Sequence, residues 1–128
     1  MNSLIVDAAK DKIFLTLIVV ENIYTCSHEN SKINFEKLII LIDDFLKFNK
    51  SSLNEIDTIY VNRGPGSFAG IRNSLAIIKA LFLTKKIDYY CFSFKDFEES
   101  VDLNYKDVPY LCKKFNIKKN LINPIYLS

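Results

Sequence analysis

The residues best placed to do chemistry are gathered in one stretch, Asn62-Arg63-Gly64-Pro65-Gly66-Ser67-Phe68-Ala69-Gly70-Ile71-Arg72. It holds all three glycines and one of the three prolines of the 128-residue chain. A strand-like apolar run, Ile56 to Val61, precedes it, and apolar residues at helical spacing follow from Ile71 to Leu83. Strand, glycine turn and helix together aim backbone N–H groups at an anion or at a closely docked surface. Gly64 and Gly66 are expected to take φ > 0, and Pro65 to stiffen the turn between them. Ser67 suits the N-cap of the helix. Gly70 costs helix stability but permits close backbone approach, and Arg72 places a cation one turn in. This is neither common phosphate motif: a P-loop closes on Gly-Lys-Ser/Thr, and the dinucleotide fingerprint reads Gly-x-Gly-x-x-Gly, one residue shorter than the spacing here. An anion cradle and a docking or structural turn both remain compatible with the stretch.

Elsewhere, reactive constellations are sparse. The single histidine, His28, has no Cys or Glu at ligand spacing, so no metal site is expected. It falls in a polar stretch, Ser27 to Lys32, read as a loop with a solvated imidazole. Ser67 has no second histidine to serve as a base, so no catalytic residue is assigned. Asp7 ends the first strand, and the sequence Asp7-Ala8-Ala9-Lys10 suits a turn or cap better than catalysis. Asp43 and Asp44 are consecutive on a helix and point apart. Lys113, Lys114, Lys118 and Lys119 make a basic tail, read as a solvated face or a weak phosphate contact. Phe92, Phe94, Phe97, Tyr105, Tyr110 and Phe115 are expected to anchor core and tail. Cys26, Cys91 and Cys112 are scattered, as free cytosolic thiols would be.

A hydrophobic fraction of 49% with 25% charge is globular, and a net charge of +2 is too small to imply nucleic-acid binding by itself. No apolar run reaches membrane-spanning length, and the start lacks a basic signal-peptide region. Leu4 to Asp7, Ile13 to Val20 and Ile23 to Cys26, joined by short turns, predict an antiparallel meander. Ile33 to Phe48 predicts one helix, with Phe35, Leu38, Ile39, Ile42, Phe45 and Leu46 as the core stripe. Ile33, Ile40, Leu41 and Phe48 lie off that stripe and would thicken the core or face a partner. Strands at Ile56 to Val61 and Asp88 to Phe94, and a helix from Phe68 to Thr84 that is apolar or small nearly all round, complete a β-β-β-α-β-α-β order.

The run Arg63 to Arg72 closely resembles the RGPGSFTGLR signature of the TsaB (YeaZ) family, with Ala69 in place of Thr. The element order is similar to the N-terminal half of the ASKHA (actin–hexokinase, RNase H-like) α/β fold, which is also the TsaB fold. The resemblance runs from Met1 to about Phe94. It implies an ASKHA-like domain over 1–94, with 95–128 a short tail in place of the second domain. The ending Asn123-Pro124-Ile125-Tyr126-Leu127-Ser128 resembles the family's terminal P-x-YLR. Departures are Asp7-Ala8-Ala9 for the usual Asp-Thr-Ser/Ala, and Asn34 where a His usually precedes the first helix. The family implies a non-catalytic scaffold in tRNA threonylcarbamoyladenosine synthesis. Its partners would be the TsaD subunit and a TsaE-like ATPase, with a homodimer as another possibility. ATP and metal would belong to those partners, and tRNA would be reached through the cytoplasmic complex. The glycine loop (Arg63, Gly64, Pro65, Gly66, Ser67, Phe68, Gly70, Arg72) would then meet a partner or a phosphate. Ile33, Ile40, Leu41, Asn73 and Ile77 would lie at the partner interface. The alternative from another class is a minimal ASKHA enzyme, either a nucleotide-dependent phosphotransferase or a glycoprotease-like hydrolase.

Overall fold

The computed structural model describes residues 2–97 and 104–126; Leu127 and Ser128 of the family-like ending lie outside them. Strands β1 (Asn2–Asp7), β2 (Lys12–Val19), β3 (Asn22–Glu29), β4 (Thr58–Asn62) and β5 (Asp88–Phe92) form one sheet in the order β3-β2-β1-β4-β5. The first three strands are antiparallel neighbours, while β4 runs parallel to both β1 and β5. The sheet is mixed, as expected. Helices α1 (Lys32–Glu36), α2 (Leu38–Phe48), α3 (Phe68–Lys85) and α4 (Val108–Lys114) complete the fold.

Strand alternation divides the core in two. Leu4, Val6, Ile59, Val61, Tyr89 and Cys91 face a layer built from Phe35, Leu38, Ile42, Phe45 and Leu46 with Ile71, Leu75, Ile78 and Leu81. Ile5, Tyr60 and Phe92 face the other way and pack on Phe97, Val108, Leu111 and Cys112. The central strands are thus covered on both faces, which explains their nearly continuous apolar runs.

Several expectations need correction. The first helix is two: it breaks at Lys37 (φ −98°, ψ 10°). The break lets α1 direct Phe35 toward α3 while α2 lays Leu38 on the sheet. Ile39, expected in the core stripe, is exposed because that stripe is narrower and centred on Leu38, Ile42 and Phe45. His28 lies in β3, which extends through the polar residues by full pairing with β2. β2 stops at Val19, and Val20 enters the turn with φ 55°. β5 stops at Phe92 because Ser93 starts a capping box: its side chain accepts from Lys95 N, and its own N–H donates to Asp96 at 2.8 Å. Tyr110 is exposed rather than an anchor.

Candidate functional site

The glycine stretch leaves the C-terminal end of β4 beside the β1–β2 turn and enters α3. Asn62 Oδ1 accepts from Gly64 N at 2.9 Å, closing an Asx turn. The N–H of Arg63 donates to Phe92 O at 2.7 Å, and that of Ser67 to Ala9 O at 2.9 Å. Ser67 Oγ accepts from Gly70 N at 3.3 Å, so it caps α3 as expected. Gly64 has φ 108°, as its type suggested. Gly66 does not: its φ is not positive, and it is glycine for lack of space. A Cβ there would lie 2.1 Å from Ala9 O, and one on Gly70 would lie 1.8 Å from Ala8 O. The loop is pressed against the Ala8-Ala9 backbone on one side and Ile125 on the other, where Ile125 N donates to Arg63 O at 2.7 Å.

Arg63 turns inward. Its guanidinium meets Asp96 through two bonds, of 2.6 and 3.2 Å, and donates to Asn123 O at 3.1 Å. That fork ties the loop to the end of β5 and to the C-terminal segment. Arg72 turns outward, its guanidinium carbon 5.9 Å from the Phe68 ring centroid, and Phe68 packs on Tyr126 with centroids 4.7 Å apart. Between α1 and the start of α3 runs a groove of about 490 Å³, lined by Lys32, Phe35, Glu36, Phe68, Ala69, Arg72 and Asn73.

The fold therefore divides the expected site residues. Gly64, Gly66, Gly70 and Arg63 are engaged within the chain, with Pro65 and Ser67 half-buried between them. Phe68, Arg72 and Asn73 line the groove. Ile33 and Ile40 stand 62% and 54% exposed on the helical layer, while Leu41 and Ile77 are half-buried against the core. Asp7 is fully buried: Oδ1 accepts from Ala9 N at 3.0 Å and Oδ2 from the Tyr105 hydroxyl at 2.6 Å. Burial, and then the Asp7 charge, push the Tyr105 phenol far above the usual tyrosine range. Lys10 adds its ammonium 3.7 Å from Asp7 and 4.7 Å from the Phe94 ring centroid. Among the described residues no group of three or more His, Cys, Asp or Glu could hold a metal, and no helix is long and apolar enough to cross a membrane.

Sequence reasoning missed Tyr105, Asp96 and Asn123 as supports of the site, because their partners are remote in the chain. The Asx turn at Asn62 was legible from its place two residues before Gly64.

A five-stranded mixed sheet, helices on both faces and a glycine turn leading from β4 to α3 define an α/β domain of the ASKHA class. A family model described as "TsaD: tRNA N6-adenosine threonylcarbamoyltransferase" matches residues 28–93, just over half of the chain. Two relatives carry the name "tRNA threonylcarbamoyladenosine biosynthesis protein TsaB". One, from Buchnera aphidicola subsp. Baizongia pistaciae, is 40% identical over 65 residues, 44% of this chain and 29% of that protein. The other, from Buchnera aphidicola subsp. Schizaphis graminum, is 29% identical over 87 residues, 68% of this chain and 41% of that protein. Among solved structures, YeaZ from Pseudomonas aeruginosa matches with a TM-score of 0.66 at 20% identity, over 72% of this chain and 43% of that one. The chain belongs to the TsaB (YeaZ) family. It spans less than half the length of the curated relatives it matches.

Proposed function

We propose that this chain is a non-catalytic subunit in the synthesis of threonylcarbamoyladenosine in tRNA, docking through its helical layer onto a TsaD-type catalytic subunit. The observation that carries the reading is the outward apolar set on that layer: Ile33, Ile40, Phe48, Phe68 and Leu83 are all exposed, and Phe68 lines the groove between α1 and α3. A helical face of that kind suits a partner helix. The names of the curated relatives supply the process. In this reading ATP and metal are bound by the partner subunits, a TsaE-like ATPase joins the assembly, and tRNA is reached through the complex in the cytoplasm. A second copy of this chain would compete for the same face. The engagement of Asp7 by Ala9 and Tyr105 favours a scaffold over an enzyme, since both carboxylate oxygens already serve the fold.

Ile40→Asp tests the reading. Ile40 is solvent-exposed in the free chain, so the variant keeps its stability within about 0.5 kcal/mol. Titration with TsaD is expected to lose about 2–4 kcal/mol of binding, the cost of truncating or charging a central contact. Wild-type affinity by calorimetry would remove this face from the interface.

A further inference from the structure

On the face of the sheet opposite α1 and α3 lies a second cavity, of about 460 Å³, between β4–β5 and α4. We propose that it binds a planar heteroaromatic ring bearing an anionic group, of the class that a nucleoside monophosphate represents. The volume lies in the range of small-molecule sites. Its floor is Tyr60 and Tyr90, register partners on β4 and β5, stacked with centroids 5.3 Å apart and planes 11° from parallel. Pro109 and Cys112 of α4 and Ile117 beyond it supply the apolar wall. Such a slot favours a flat aromatic body.

The polar groups point the same way. Tyr60 is only 8% exposed, and its hydroxyl, which has no hydrogen-bond partner among the described residues, is not a buried atom but opens to the cavity. It can therefore donate to an acceptor on a bound ring. Burial also pushes Tyr60 up to about 12, so at neutral pH the phenol keeps its proton and donates. Lys113 stands exposed at the rim with no ion pair among the described residues, so a cation faces the opening. Thr58 and Asn116 add a hydroxyl and an amide, able to donate and accept around a ring edge. The site is independent of the docking face and stands whether or not that reading holds.

The test is titration of the full isotope-labelled chain with AMP, adenosine and inorganic phosphate, followed by backbone amide shifts. AMP is expected to saturate, with shifts at Thr58, Tyr60, Tyr90, Lys113 and Asn116. Adenosine should bind about tenfold more weakly, and phosphate alone should not saturate. Tyr60→Phe keeps the ring and should weaken AMP about tenfold. Lys113→Ala should bring AMP to the affinity of adenosine and leave adenosine unchanged. Asn116→Gly, an exposed change that removes the amide and keeps the left-handed backbone at φ 54°, gives the same readout if Tyr60→Phe misfolds. The proposal is overturned if AMP does not saturate, if the shifts gather at Phe68 to Arg72 instead, or if neither Tyr60→Phe nor Asn116→Gly changes binding.

Discussion

Gly66→Ala is the sharpest probe of how the glycine stretch is held. The added methyl would sit 2.1 Å from Ala9 O, 2.9 Å from Ala9 C and 3.0 Å from Ala9 Cβ, a collision with backbone rather than with a side chain that could swing away. The Ala8-Ala9 turn is itself pinned, since Ala9 N donates to the buried Asp7 carboxylate. Relief therefore moves the loop. That movement breaks the 2.9 Å bond from Ser67 N to Ala9 O, worth about 1 kcal/mol. It also disturbs the Ser67 cap of α3, worth another ~1 kcal/mol. Residual overpacking adds about 1 kcal/mol or more. The sum is about 3 kcal/mol, a fall in melting temperature on the order of 10 °C for a domain of this size. Urea denaturation of Gly66→Ala beside Ala69→Gly, a change at an exposed neighbour, gives the comparison. If Gly66→Ala unfolds within about 0.5 kcal/mol of wild type, the close approach does not constrain the loop and the reasoning fails.

Other outcomes follow from the same contacts. Arg63→Lys keeps the charge but loses the fork to Asp96 and Asn123, and should cost about 1–3 kcal/mol by denaturant unfolding; no loss would mean the fork is dispensable. Val20→Asn should stabilise by about 1 kcal/mol, because Val20 holds φ 55° in the β2–β3 turn and Asn tolerates that region; a lower melting point would contradict this. Burial pushes the Cys91 and Cys112 thiols up to about 12, against about 8.5 when unfolded. Below pH ~8.5 both states keep these protons. Above it the unfolded chain releases them first, so stability should fall as pH rises from about 8.5 toward 12. Cys112→Ala should flatten that slope in denaturation measured at pH 7 and pH 10, and an unchanged slope would assign it to other groups.

What the chain determined by itself was local. The glycine stretch, the Ser67 cap, the left-handed Gly64, the meander and the β-β-β-α-β-α-β order all follow from neighbouring residues. Capping, φ preference and side-chain period operate over a few positions. The family signature lay in one such run. Tertiary structure decided the rest. Gly66 is required by the carbonyl of Ala9, a residue brought to it from the β1–β2 turn, and not by its own φ. Arg63 serves the fold because Asp96, 33 positions away, meets it, and Asp7 is closed off because Tyr105, 98 positions away, reaches it. The broken first helix and the cavity over Tyr60 and Tyr90 arise in the same way, from elements packing across the sheet. Contacts between distant segments leave no periodic trace in either one, so a reading of spacing finds the parts of the site but not the side to which each part turns.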